Sequence, residues 1–423
     1  MTPFETASVL IAVAAVCGYV NKRLLRLPSS TGTLVVALAG SLVVLAAGAV
    51  LPGSTLREQA AQFVQRIDFN QTVIRGMLSF LLFAGALQVD LERLLAQRWR
   101  IGLLSTAGVA ISTVVTGAGA YRVFHAMSLD VSWMTCFVFG ALISPTDPVA
   151  VLALMKELGA PKDLEVQIAG EALFNDGMGV VLFFALAGAA GLLPGVGPEA
   201  AHAGAVVWFV IREVGGGAVL GLASGYTAYR ALKRLNDHPL EVLITLALVM
   251  FTYALSFRLH VSGPIAIVIA GVLIGNPGKQ KAMTAISREY VEVFWEMIDE
   301  ILNAVLFLLL GLEALGVSSS RGRLLAGALM IPIVLGARWL SVAAPLAALK
   351  GRERVPKGLI PALTWGGLRG GLSIAMVLGL PKFPHKDLLL MCTYVIAVFS
   401  IIVQGLTMRR LLHRYGLAGP AAR

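Results

Sequence analysis

Charge is scarce in this chain. Only 14% of the 423 residues are Asp, Glu, Lys or Arg, 57% are hydrophobic, and the mean hydropathy is +0.81. Soluble domains carry about a quarter of their residues as charged groups, so a water-soluble fold is excluded and the solvent is a lipid bilayer. Cysteine is scarcer still: Cys17, Cys136 and Cys392 fall inside apolar runs without close partners, which excludes a disulfide framework or a thiolate metal centre. The six histidines are scattered, and neither Gly-x-Ser-x-Gly nor His-Glu-x-x-His occurs, so no enzyme activity and no cofactor are expected. Nucleic-acid binding needs basic residues gathered on one soluble face. Here a net charge of +10 is spread over short loops, and no nucleic-acid partner is expected. The basic start of a cleavable signal peptide is also missing. Glu5 precedes the first apolar run and Asn21-Lys22-Arg23 follows it, so the first helix is expected to stay in the mature protein.

What the chain has in abundance is apolar runs suited to crossing roughly 30 Å of hydrocarbon as helices. They read as Phe4 to Val20, Thr33 to Leu51, Ile74 to Val89, Ile101 to Tyr121, Val131 to Met155, Val166 to Leu193, Val214 to Tyr229, Leu240 to Phe257, Val261 to Gly275, Ile301 to Gly316, Leu324 to Leu349, Leu359 to Leu380 and Leu388 to Leu411. The fold class is therefore an all-α polytopic membrane protein with thirteen transmembrane helices. One alternating set of loops holds 22 of the 34 Lys and Arg, the other nine. By the positive-inside rule the N-terminus lies outside and the C-terminus in the cytoplasm, at the plasma (inner) membrane. Residues 412–423 form a short cytoplasmic tail, with no regulatory domain expected there.

Ionisable groups at bilayer depth cost about 2.5 to 3.5 kcal/mol each on insertion scales and mark function by default. Asp147 lies in Ile143-Ser-Pro-Thr-Asp-Pro-Val149, where two prolines remove backbone donors and should break span five. A break at that depth is tolerated around a polar cavity, and unwound carbonyls beside a carboxylate suit a dehydrated alkali cation. The plainer alternative, a proline kink with Asp147 capping the second half-helix, is compatible with it. In span six, Gly170-Glu-Ala-Leu-Phe-Asn-Asp-Gly177 places Glu171 about 140° around the helix from Asp176, so the two carboxylates should do different jobs. Asp176 suits the ion, and Glu171 suits a pair with a buried cation. Arg338 is the favoured partner because a mid-membrane arginine needs a counter-charge. Arg369 is the rival; it lies in Trp365-Gly-Gly-Leu-Arg-Gly-Gly371, where four glycines should break span twelve, and it is otherwise expected to bond carbonyls at that second break. Glu292, Glu296, Asp299, Glu300 and Asn303 share one helical face at the cytoplasmic start of span ten. A solvated face of an interfacial helix is favoured there over a cation funnel or a pH-responsive surface.

Thr146-Asp147-Pro148, Asn175-Asp176, Ala337-Arg338 and Gly366-Gly-Leu-Arg-Gly370 stand in this order in spans five, six, eleven and twelve. In these marks, and over nearly its whole length, the chain resembles monovalent cation:proton antiporter family 1, which includes NhaP transporters and animal sodium/proton exchangers. The resemblance implies the NhaA-like antiporter fold: two inverted six-helix repeats with broken crossing helices, residues 1–193 and 239–411, joined by span seven within 194–238. It implies a homodimer and an elevator-type mechanism. It further implies that Asp147 and Asp176 bind the cation with Thr146, that Asn175 orders the site, that Glu171 and Arg338 form an ion pair, and that Asn-Asp marks electroneutral exchange of Na+ or Li+ for H+. A potassium/proton antiporter on the same chassis and a passive cation channel are the rival readings. Two departures stand out: Ala172 where many relatives have serine, and Phe83-Ala84-Gly85 where many carry a glutamate.

Overall fold

The computed structural model describes residues 3–50, 69, 71–193, 203–278, 282–315, 320–349 and 356–418. Leu51, Gly316, the boundary at residue 194 and the loop cations Arg57, Arg66, Lys279, Lys281, Lys350, Arg352, Arg354 and Arg423 lie outside them. The described residues form helices, with a single isolated β-bridge between Asp147 and Leu368.

In chain order the helices are α1 (Pro3–Val20), α2 (Ser29–Val50), α3 (Leu78–Gln88) and the short α4 (Leu91–Ala96). They continue with α5 (Arg98–Ala126), α6 (Trp133–Ile143), α7 (Val149–Glu157) and α8 (Lys162–Ala189). Next come α9 (Ala203–Leu232), α10 (His238–Leu259), α11 (Gly263–Leu273) and α12 (Ala285–Glu313). The last are α13 (Arg321–Ala348), α14 (Leu359–Gly366), α15 (Gly371–Gly379) and α16 (Lys386–Arg414). Local sequence fixes several starts by capping orphan backbone donors: Ser132 accepts from the Thr135 N–H, Asp237 from Leu240, Ser262 from Ile265, Thr284 from Ser287 and Ser320 from Arg323.

Among the described residues seven helices are long and apolar enough to cross a membrane on their own, including α8, α10 and α13. Others owe their shorter apolar length to breaks. Span five divides into α6 and α7 at the two prolines, and span twelve into α14 and α15 at the glycines. One boundary differs from expectation: α12 starts at Ala285, well before Ile301. Its first half alternates acidic and apolar faces, so hydropathy alone does not register it as part of the span.

Two groups of helices pack together. In one, α5 lies against α6 and α13, α13 against α16, and α6 against α8, with α7, α14 and α15 held among them. In the other, α9 lies against α10 and α11, α3 against α11 and α12, and α1 and α2 against α12. The groups meet where α8 touches α3, α9 and α11. Apolar residues such as Trp208, Ile211, Val219 and Leu222 point outward from α9, as a lipid-facing surface allows.

Candidate functional site

The two broken helices cross at their breaks. The Asp147 N–H donates to the Leu368 carbonyl at 2.8 Å, joining the unwound segment between α6 and α7 to the one between α14 and α15. Glycine makes this approach possible: a Cβ at Gly370 would overlap the Asp147 carboxylate, and one at Gly367 would overlap the Arg338 guanidinium. Asp147 also caps α7, its Oδ1 accepting the Val149 N–H at 3.0 Å, so the carboxylate offsets the positive end of that half-helix.

Arg369 is 2% exposed. Its Nη1 donates to the carbonyls of Ser144 at 2.5 Å and Pro145 at 2.8 Å. These are carbonyls of the first break, not of the arginine's own break as the sequence suggested; the crossing of the two segments brings them within reach. A guanidinium there compensates the negative end of α6. Arg338 takes the other role. Its Nη1 donates to Glu171 Oε1 at 2.5 Å, with both side chains buried, while Nε and Nη2 grip the Leu363 carbonyl at 3.2 and 3.0 Å.

Asn175, buried on α8, donates through Nδ2 to the Ser144 carbonyl and to Thr146 Oγ1, both at 3.3 Å. Its Oδ1 is buried without a hydrogen-bond partner. Asp176, the next residue, lines a cavity of about 1090 Å³ together with Thr146, Asp147, Ala172 and Gly370. Two neighbours that sequence reasoning missed are Ser144 and Thr113, whose hydroxyls lie 3.0 Å apart beneath the first break. Each is a polar residue within an apolar run, the only signal that pointed to them.

The cavity lies between the two helix groups, with α1, α2, α3 and α12 on one side and α7, α8 and α15 on the other. Lys22, Arg26, Lys156, Glu157 and Glu165 also line it. So do Glu296, Asp299, Glu300 and Asn303. The expectation of an interfacial, merely solvated face is thereby corrected: the later part of that face belongs to the cavity, because α12 runs unbroken past the site. Of the Phe83-Ala84-Gly85 stretch, Gly85 is in the lining as well, while Phe83 and Ala84 are fully buried. Among the described residues no group of three or more His, Cys, Asp and Glu is arranged to hold a resident metal ion.

The family model described as sodium/hydrogen exchanger, transmembrane, matches residues 11–414. The chain is 43% identical to the Na(+)/H(+) antiporter NhaP of Pseudomonas aeruginosa over 414 residues, 97% of this chain and 96% of that one. It is 31% identical to the Na(+)/H(+) antiporter NhaH of Halobacillus dabanensis, over 93% and 94% of the two chains. Among solved structures, that of the sodium proton antiporter MjNhaP1 from Methanocaldococcus jannaschii at pH 8 shares the fold, with a TM-score of 0.74, 17% identity, and coverage of 98% and 99%. These relatives are transporters, not enzymes. With its apolar helices and this full-length match, the chain is a multi-pass membrane protein that belongs to the transmembrane sodium/hydrogen exchanger family.

Proposed function

We propose that this chain exchanges Na+ or Li+ for H+, one for one, with the two loads competing for Asp147 and Asp176. The observation that carries this is the placement of both carboxylates on one large cavity at the crossing of two broken helices. A dehydrated cation needs oxygens to replace its water shell. The Asp147 and Asp176 carboxylates, the Thr146 hydroxyl and the unpartnered Asn175 Oδ1 are oxygens of the right kind. Two carboxylates without a cation repel each other in a low-dielectric site, and a bound proton or cation relieves that repulsion. Only a relieved site crosses the barrier cheaply, so inward protons drive outward cations without ATP, and one-for-one exchange moves no net charge.

The cavity is lined by Lys22, Arg26 and Lys156, all among the span-end cations that the positive-inside rule assigns to the cytoplasmic side. We therefore assign this structure to the inward-open state, with the N-terminus outside. Opening to the other face requires the group holding α5 to α8 and α13 to α16 to slide against the group holding α1 to α3 and α9 to α12. Each group draws helices from both halves of the chain, which supports thirteen crossings in two inverted repeats and an elevator-type movement. Such movement needs one group held fixed, the service a homodimer in the plasma membrane would supply.

The test is collapse of an imposed proton gradient in proteoliposomes by sodium, lithium or potassium, with the membrane potential clamped or free. Wild type should respond equally under both conditions and Asp176→Asn should not respond. The active ion names the substrate. Exchange by Asp176→Asn, or flux that follows the potential without moving protons, would overturn the proposal.

A further inference from the structure

In an unbroken α-helix the Arg369 N–H would donate to the carbonyl of Trp365, four residues back. The second break parts them, since α14 ends at Gly366 and α15 starts at Gly371. Both groups are nonetheless satisfied, and by the same two side chains of α16. The Arg369 N–H donates to Ser400 Oγ at 2.9 Å, Ser400 Oγ donates to Gln404 Oε1 at 2.6 Å, and Gln404 Nε2 donates to the Trp365 carbonyl at 3.1 Å. The donors and acceptors permit one direction only. The Trp365 carbonyl needs a donor, which turns the amide NH2 toward it and the amide oxygen toward Ser400; the hydroxyl, accepting from Arg369, gives its single proton to that oxygen. Ser400 is fully buried and Gln404 is 3% exposed. They open and close a π-helical turn, Ser400–Gln404, within α16, a distortion common at functional sites.

We propose that Ser400 and Gln404 are positioning residues whose side chains splice the hydrogen bond ruptured at the second break. The splice fixes the span from Trp365 to Arg369. Arg369 then reaches the Ser144 and Pro145 carbonyls, and the Leu368 carbonyl between them holds the Asp147 N–H. The splice thus sets where the Asp147 carboxylate stands in the cavity, which matters to transport only if Asp147 and Asp176 bind the ion as proposed above. All its parts lie in one helix group, so it holds equally whichever way the cavity opens.

The experiment measures apparent cation KM and maximal rate in proteoliposomes for Ser400→Ala, Gln404→Met and the double variant, with thermal unfolding in detergent recorded separately. Either single change cuts the relay, so each should raise KM about tenfold, the size of one buried hydrogen bond, and the double should add little. Unchanged KM in both singles, or single effects that multiply in the double, would overturn the splice, as would failure of both singles to give folded protein. Asp176→Asn is run alongside. If it still exchanges, the ion-site assignment has failed. If it is inactive while the splice variants keep the wild-type KM, the splice alone has failed.

Discussion

Gly370 sets how near the two broken helices come. Alanine there would push its Cβ into the Asp147 carboxylate, and overpacking of this kind costs about 1 to 3 kcal/mol. Gly370→Ala should therefore slow exchange at least about tenfold while the protein still assembles in the membrane, as checked by transport assay and size-exclusion chromatography together. Asp147, Asp176, Glu171 and Arg338 were legible as residues of interest because an ionisable group in an apolar run is conspicuous by its cost. Thr113, Ser400 and Gln404 were not singled out, and Gly370 was read only as one of four glycines at a break. Small and neutral polar residues are tolerated throughout membrane helices, and their roles depend on partners as far apart in sequence as Ser400 is from Arg369. Ala172 is a different case. Its absent hydroxyl was noted from sequence, and the structure places the position in the cavity lining beside Asp176.

At the scale of elements, both breaks could be read from the chain because prolines and glycines act locally on the backbone. What the breaks do to each other could not. Arg369 was expected at carbonyls of its own break and instead serves the first one. The choice between Arg338 and Arg369 as partner of Glu171 turned on Arg338 reaching from α13, which packs on α14, across to Glu171 on α8, a matter of tertiary geometry. Arg338 holds three elements at once: Glu171 on α8, Leu363 on α14 and its own α13. Breaking a buried pair from one side leaves an uncompensated charge and costs about 3 to 5 kcal/mol. Glu171→Gln should accordingly lower the unfolding midpoint in detergent. Arg338→Lys should not be a neutral exchange, because an ammonium lacks the fork that grips the Leu363 carbonyl while paired to Glu171.

For the whole molecule, the all-helical, membrane-spanning character was legible, whereas the division into two helix groups was not, since pairings such as α2 with α12 join distant stretches. The early start of α12 escaped notice for a related reason: its acidic face is wetted by a cavity that exists only once the groups assemble. The proposed orientation makes a vectorial prediction. Gly85 lines the cavity, and a side chain there meets Leu173 at 3.6 Å as its nearest neighbour, so Gly85→Cys should fit. A membrane-impermeant maleimide should label it in inside-out vesicles and not in right-side-out vesicles. The reverse pattern would invert either the topology or the direction of access. Cys17, Cys136 and Cys392 bear directly on that measurement, for all three thiols are buried. The chain should therefore react little with aqueous thiol reagents, and a single introduced cysteine can report which side of the membrane the cavity opens to.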